Sequence, residues 1–234
     1  MCGRLLQARD LTAYAEHFRI PPGGAAVPNL PPRYNGAPTQ DFLVVRRNPH
    51  TAQAEFGALR WGLVPVWAKD ISIANRTFNA RSETVATTAS FRGAWRAGRR
   101  CLVPVDGFYE WRRAAGGKQP FLIARADGAP IWLAGLWEGW KDPANGEWLR
   151  TFTILTCAAS PFMAPLHDRM PVIVEDSEAG RWLEAEAPAD LLRAYGPDDL
   201  SMRPVSPRLN SVRNEGSELL EPPAGEAPSL DLSL

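Results

Sequence analysis

Beyond residue 100 the apolar positions fall into short runs and two-residue alternations, interrupted at regular intervals by glycine, asparagine and aspartate. That pattern predicts strands over 101–105, 108–113, 121–125, 131–137, 148–156 and 172–174, with Ala-Gly-Gly-Lys, Ala-Asp-Gly-Ala and Pro-Ala-Asn-Gly as turns between several of them. Upstream, 42–46 and 55–61 read as a strand pair, and 202–205 as a last strand. Helical spacing is confined to short stretches. Leu11, Tyr14, Ala15 and Phe18 share one face behind Asp10 as N-cap, and Pro21-Pro22-Gly23-Gly24 ends that helix. Ser90 is placed to cap a helix through Arg96, with Phe91, Ala94 and Trp95 inward and arginines outward. Two more helices are predicted, one from Asp176 to about Ala185 and one opening at Pro188. The proline-rich stretch 28–38 reads as an extended, ordered loop. Many short strands with helices set to the side predict an α+β fold with a curved, barrel-like, mainly antiparallel core flanked by short helices.

A length of 234 residues allows one large domain, and no linker interrupts the first 212. From Glu215 the composition changes to an acidic, proline-containing segment, predicted to be a disordered tail over 215–234, with the domain at 1–214. The formal charge of zero conceals this asymmetry: the tail holds five acidic residues and no basic ones, so the rest carries 26 basic against 21 acidic side chains, a net of +5. Within it Arg92, Arg96, Arg99 and Arg100 cluster, as do Arg76 and Arg81. Arginine predominance suits phosphate binding and stacking on bases. No apolar run approaches the roughly 20 residues that span a bilayer, so a soluble, intracellular protein without a membrane partner is expected. Three cysteines without short pair spacing argue against a disulfide framework and a zinc site. Cys101 and Cys157 lie in apolar runs and read as inert core thiols. Neither a metal nor a cofactor is indicated.

The chemistry is concentrated at the start, Met1-Cys2-Gly3-Arg4. Removal of Met1 would leave Cys2 with an α-amine and a thiol on adjacent carbons. Such a 1,2-aminothiol condenses with an aldehyde to an imine, and the thiol then closes on the imine carbon to give a thiazolidine. An α-amine titrates near about 7.7–8.0 and a free thiol near about 8.5, so both groups suit neutral pH. Alone, a cysteine at position 2 carries little weight.

Further motifs supply that weight: Arg33-Tyr34-Asn35 with Ala37-Pro38, Trp61-Gly62-Leu63 with Trp67, Asn79-Ala80-Arg81-Ser82-Glu83-Thr84, and Arg100-Cys101-Leu102-Val103-Pro104. Asp106-Gly107-Phe108-Tyr109-Glu110-Trp111, Ala134-Gly135-Leu136-Trp137 and His167-Asp168-Arg169-Met170-Pro171-Val172 complete the series. In this order, from Cys2 to about Val212, the chain resembles the SRAP family of SOS-response-associated peptidase-like proteins. The resemblance implies a single SRAP-type domain that captures abasic sites in single-stranded DNA as a covalent thiazolidine, with associated Schiff-base lyase chemistry; the loss of Met1 is open between autoproteolysis and an aminopeptidase, which the small side chain of Cys2 permits. It also implies a monomer in a bacterial cytoplasm, at the nucleoid when bound to DNA.

The resemblance assigns Cys2 as the nucleophile, Asn79 to the ring-opened sugar, and His167 to proton transfer and crosslink reversal. Glu110 it makes a catalytic proton carrier; between aromatic neighbours, loss of water would favour that role, although strand alternation equally permits an exposed carboxylate. Arg4, Arg81 and Arg169 match phosphate-binding arginines, Met170 falls in the same DNA-contacting motif, and Pro38 with Trp67 matches residues that wedge or stack against bases. Other readings remain open. Met-Cys-Gly also begins class II glutamine amidotransferases, whose other motifs are missing from this chain; a peptidase and a noncatalytic single-strand binder are the remaining alternatives.

Overall fold

The computed structural model describes residues 2–20, 30–114, 117–184, 189–196 and 198–223. Its strands are β1 (Leu5–Gln7), β2 (Arg33–Gly36), β3 (Asp41–Arg47), β4 (Ala54–Trp61), β5 (Asn79–Arg81), β6 (Arg100–Val105) and β7 (Gly107–Ala114). There follow β8 (Gly117–Arg125), β9 (Ile131–Lys141), β10 (Trp148–Ala158), β11 (Arg169–Pro171), β12 (Ile173–Val174) and β13 (Leu200–Pro204).

Strands β4, β3, β6, β9 and β10 are hydrogen-bonded in that order, and β10 returns to β4 to close a five-stranded barrel. The closing seam is parallel, with Thr151 opposite Arg60, while the other barrel ladders are antiparallel. Closure removes the open edges that a flat sheet would expose. Strands β5 and β11 extend the barrel at the C-terminal half of β10, and β12 pairs with β9. A second, antiparallel sheet runs β13-β8-β7-β1-β2. The α+β, barrel-like, mainly antiparallel architecture expected from the sequence is therefore present.

The core around the barrel strands is apolar: Phe42, Val44, Leu102, Val103, Leu133, Leu136, Phe152 and Ile154 are buried. Gly62 shows why its motif carries a glycine. Its φ is +119°, and a Cβ there would stand 2.6 Å from Ala74 O.

Helix α1 (Leu11–Phe18) is capped as expected, Asp10 accepting from Ala13 N at 2.8 Å, but it ends on Arg19 in the left-handed region at φ 54°. The prolines and glycines expected to stop it, and the start of the 28–38 loop, lie outside the described residues. Helix α2 (Arg92–Arg96) begins on Phe91 without a side-chain cap, so Ser90 does not have the role expected of it. The helix expected from Asp176 is split into a 3-10 turn, Asp176–Glu178, and α3 (Ala179–Leu183); the segment from Pro188 holds a 3-10 turn at Ala189–Leu191. Part of the predicted 28–38 loop is in fact β2, because Asn35 and the backbone around it are bound from several sides.

The predicted disordered tail needs correction over 215–223. Glu215 accepts from the backbone N–H of Asn35 at 2.9 Å and also from Tyr34 N, and Leu219 is fully buried beside Leu6 and Tyr109. Composition there is acidic, but one leucine and one carboxylate have specific places to go. The remaining tail lies outside the described residues.

Candidate active site around Cys2

The three-residue strand β1 is too short to position an N-terminus by its ladder alone, and polar side chains hold it from three sides. Gln7, buried, accepts from Leu43 N at 2.8 Å and donates to Leu43 O and Pro104 O at 3.0 and 2.6 Å, tying β1 to the barrel strands β3 and β6. Asp106 accepts from Ala8 N, Tyr14 OH and Arg9 Nε at 2.7, 2.9 and 2.6 Å. Asn35, also buried, accepts from Arg4 Nη1 at 2.6 Å and donates to the carbonyls of Ser211 and Asn214, each at 2.9 Å. Satisfied buried networks of this kind fix one geometry, because breaking any bond strands a polar group away from water.

The segment so fixed carries Cys2, which is fully buried, its Sγ 4.0 Å from Arg4 O. Asn79, at the start of β5, donates from Nδ2 to Cys2 O at 2.6 Å. Its Oδ1 is buried and has no hydrogen-bond partner among the described residues. Glu110 lies on β7, whose neighbour Tyr109 donates its N–H to Arg4 O at 3.1 Å. Its side chain is 3% exposed, which decides against the exposed-carboxylate alternative. It acts electrostatically on Cys2: burial first, then the negative charge of Glu110, pushes the thiol far above its ordinary range. That shift belongs to the chain that still carries Met1; the aminothiol expected to suit neutral pH forms only once Met1 is lost. In the chain that still begins with Met1, Cys2 rests as the neutral thiol.

A second group sits where β5 and β11 flank β10, Arg81 and Pro171 both opposite Thr156. Arg169 forks onto Glu83, with Nη1–Oε1 at 2.5 Å and Nη2–Oε2 at 2.9 Å, and Nη2 also donates to Thr156 O at 2.6 Å. The same fork holds the Glu83 carboxyl down at about 2. Arg169 N–H donates to His167 Nδ1 at 2.9 Å, while Asp168 Oδ1 lies 2.7 Å from that nitrogen. These contacts demand opposite states, a bare Nδ1 for the backbone donor and a protonated one for the carboxylate. Asp168 itself is 87% exposed.

The other expected residues divide. Arg81 is exposed, as a phosphate contact requires. Trp67 is 56% exposed, held at its edge by Nε1 donating to Ala89 O at 3.3 Å, with Val66 beside it 64% exposed. Pro38 is half-buried in the turn before β3. Arg4 is half-buried; its Nη1 donates to Asn35 and, at 2.9 Å, to Leu209 O, and its guanidinium lies over Trp111. Met170 departs from expectation. It is fully buried in the core, its sulfur accepting from Ser160 N at 3.3 Å. Sequence reasoning passed over Gln7, Asn35 and Asp106 as site residues; their signal was a polar side chain inside an apolar run or a quoted motif.

The family described as SOS response associated peptidase (SRAP) matches residues 1–212. The chain is 36% identical over 230 residues to the abasic site processing protein YoqW of Bacillus subtilis (strain 168), covering 94% of this chain and 99% of that one. It is 33% identical over 236 residues to the abasic site processing protein YedK of Escherichia coli (strain K12), covering 95% and 100%. Among solved structures, a protein from Bordetella bronchiseptica superposes with a TM-score of 0.73 at 32% identity, covering 88% of this chain and 100% of that one.

Proposed function

Because the chain belongs to the SRAP family, we propose that it processes abasic sites in DNA, and that it does so by forming a thiazolidine between Cys2 and the ring-opened sugar of single-stranded DNA. The observation that carries this reading is the convergence of Asn79 and Glu110 on a Cys2 whose strand is fixed by buried polar bonds.

The burial of the thiol sets the order of steps. A neutral thiol is a poor first nucleophile, whereas the Cys2 amine, freed when Met1 is lost, attacks the C1′ aldehyde directly. The carbinolamine loses one water to give an iminium, for which Glu110 serves as proton carrier. The iminium charge now stands next to the thiol and offsets both the burial and the Glu110 charge, favouring the thiolate. The thiol proton passes to the Glu110 carboxylate, restoring the proton spent in expelling water; sulfur adds to C1′ as the C=N π pair moves onto nitrogen, and the ring closes with no redox change. Asn79 holds the Cys2 carbonyl through Nδ2, and its buried Oδ1 is an acceptor for a hydroxyl of the opened sugar. His167, with the Arg169 N–H and the Asp168 carboxylate both at Nδ1, suits proton transfer in ring opening and release. Lyase activity follows if elimination overtakes ring closure at the iminium stage. Arg81 and Arg169 hold the backbone, Arg169 on exchanging Glu83 for a phosphate, and Trp67 stacks against a base beside the lesion. The protein works as a monomer in the cytoplasm.

The test is incubation with a single-stranded oligonucleotide containing one abasic site, followed by a denaturing gel without reductant. Wild type should give a shifted band and Cys2→Ala none. An equally stable band from Cys2→Ala would refute the thiazolidine.

A further inference from the structure

The end of the barrel away from Cys2 carries a second arginine-rich surface that the chemistry above does not use. Asn79 and Arg169 pair with Ile154 and Ala158 in the C-terminal half of β10, whereas Arg150 is near its start. Arg47 ends β3 opposite the first residue of β4, and Arg100 begins β6, so all three arginines belong to the far end. Six residues of β10 separate Arg150 from Thr156, a rise of about 20 Å.

A cavity of about 450 Å³ opens there, lined by Arg47, Asn48, Arg99, Arg100, Trp137 and Leu183 among others. Its guanidiniums are oriented rather than loose. Arg47 Nε donates to Ala52 O at 2.9 Å, Arg99 Nη1 to Glu138, and Arg100 Nη1 to Glu184 O at 2.8 Å. The ring of Trp137 lies under Arg46 at 5.0 Å and Arg99 at 5.9 Å. Arg46 is itself buried, its Nε without a hydrogen-bond partner among the described residues, and it lies in the repulsive field of Arg150. Arg46 and Arg99 are paired with the carboxylates of Glu55 and Glu138. Cations held at fixed angles around a cavity form a site that gains stability when an anion arrives.

We propose that this end of the barrel is a second phosphate-binding surface, holding the backbone of the DNA strand that runs on from the lesion at Cys2. The proposal rests on the abasic-site reading for its partner. Phosphate chemistry alone is shared by DNA and by a small polyphosphate, and the separation from the Cys2 site favours a long strand that touches both.

Arg47 and Arg150 are exposed, so Arg47→Ala/Arg150→Ala should fold normally. Binding of undamaged single strands is measured against salt for a short oligonucleotide that covers only the Cys2 end and for one several times longer. Wild type should show a steeper log K against log salt slope on the longer strand. The double variant should lose about 0.7 of slope per phosphate contact, roughly 1.4 in all, on the long strand, with the short strand unchanged. Equal wild-type slopes on both lengths, or an equal loss on both, would overturn the proposal. Thermal stabilisation by tripolyphosphate that the double variant abolishes, with an unaltered slope on long DNA, would assign the cavity to a small anion and overturn the DNA assignment. Adduct formation on a short abasic oligonucleotide should match wild type in the variant. Failure of adduct formation in wild type itself would refute the chemistry at Cys2 without touching the slopes.

Discussion

Cys2 and Cys101 are both fully buried, and burial pushes both thiols far above their ordinary range. Their surroundings differ. Cys101 is in the barrel wall on β6, opposite Gly135 of β9, where a Cβ would stand 2.8 Å from its sulfur, and its carbonyl accepts from Trp182 Nε1 at 2.9 Å. Backbone on both sides and apolar packing leave that thiol nothing to react with. Cys2 precedes a three-residue strand, has Glu110 in its field and Asn79 on its carbonyl, and becomes a chain terminus once Met1 is gone. Burial therefore does not distinguish a reactive cysteine from an inert one here. The distinguishing features are an amine on the adjacent carbon and polar groups ready to move its protons.

The comparison breaks most directly if the thiol alone suffices. Inserting one alanine between Met1 and Cys2 keeps the thiol but abolishes the aminothiol, and should reduce denaturant-stable adduct to background on a gel. Cys101→Ala should leave the yield at the wild-type level. Equal yields from the insertion variant would move the chemistry away from the N-terminal amine.

Glu110→Gln sharpens the contrast at the level of rate. It removes a proton carrier at nearly constant shape, and single-turnover crosslinking should slow by about 10²–10⁴-fold with near-normal affinity for undamaged DNA. His167→Ala should act later, slowing exchange of a labelled adduct chased with unlabelled abasic DNA. A normal rate in Glu110→Gln would withdraw its role.

The polar bonds around β1 give a smaller effect. Asp106→Ala strands Ala8 N–H and the Tyr14 hydroxyl, and should cost about 1–3 kcal/mol in denaturant unfolding while lowering adduct yield in the folded fraction. Stability lost without any change in the chemistry would show that Cys2 is positioned by other groups. Smallest of all, Arg81→Ala should flatten the salt dependence of single-strand binding by about 0.7 in slope, leaving the reaction with a small free aldehyde unchanged.

The long barrel strands were legible because alternation and turn glycines recur over many residues; Gly128 and Gly146 do adopt positive φ in the expected turns. The short strands β1, β2, β5 and β11 escaped because three or four residues carry no period, and their existence depends on distant partners such as Glu215 and Thr156. At the site, Cys2 was readable as chemistry and Glu110 as a motif residue, but the burial that neutralises one and shields the other is a tertiary property. Arg4 and Met170 show the reverse limit. Both were expected at the DNA from their motifs, yet Arg4 Nη1 is bound to Asn35 and Leu209, and Met170 fills the core. A linear motif records which residues belong together without saying which of them faces the ligand.

The central claim, that amine and thiol of Cys2 both end on one sugar carbon, is tested most directly by intact mass after mixing with an oligonucleotide that carries a single abasic site, without reductant. The account predicts one covalent species at the mass of the Met1-free chain plus the oligonucleotide minus one water, stable to denaturation and resistant to thiol alkylation at Cys2. A non-covalent complex alone, or a covalent species in which Cys2 still takes up the alkylating agent, would contradict it.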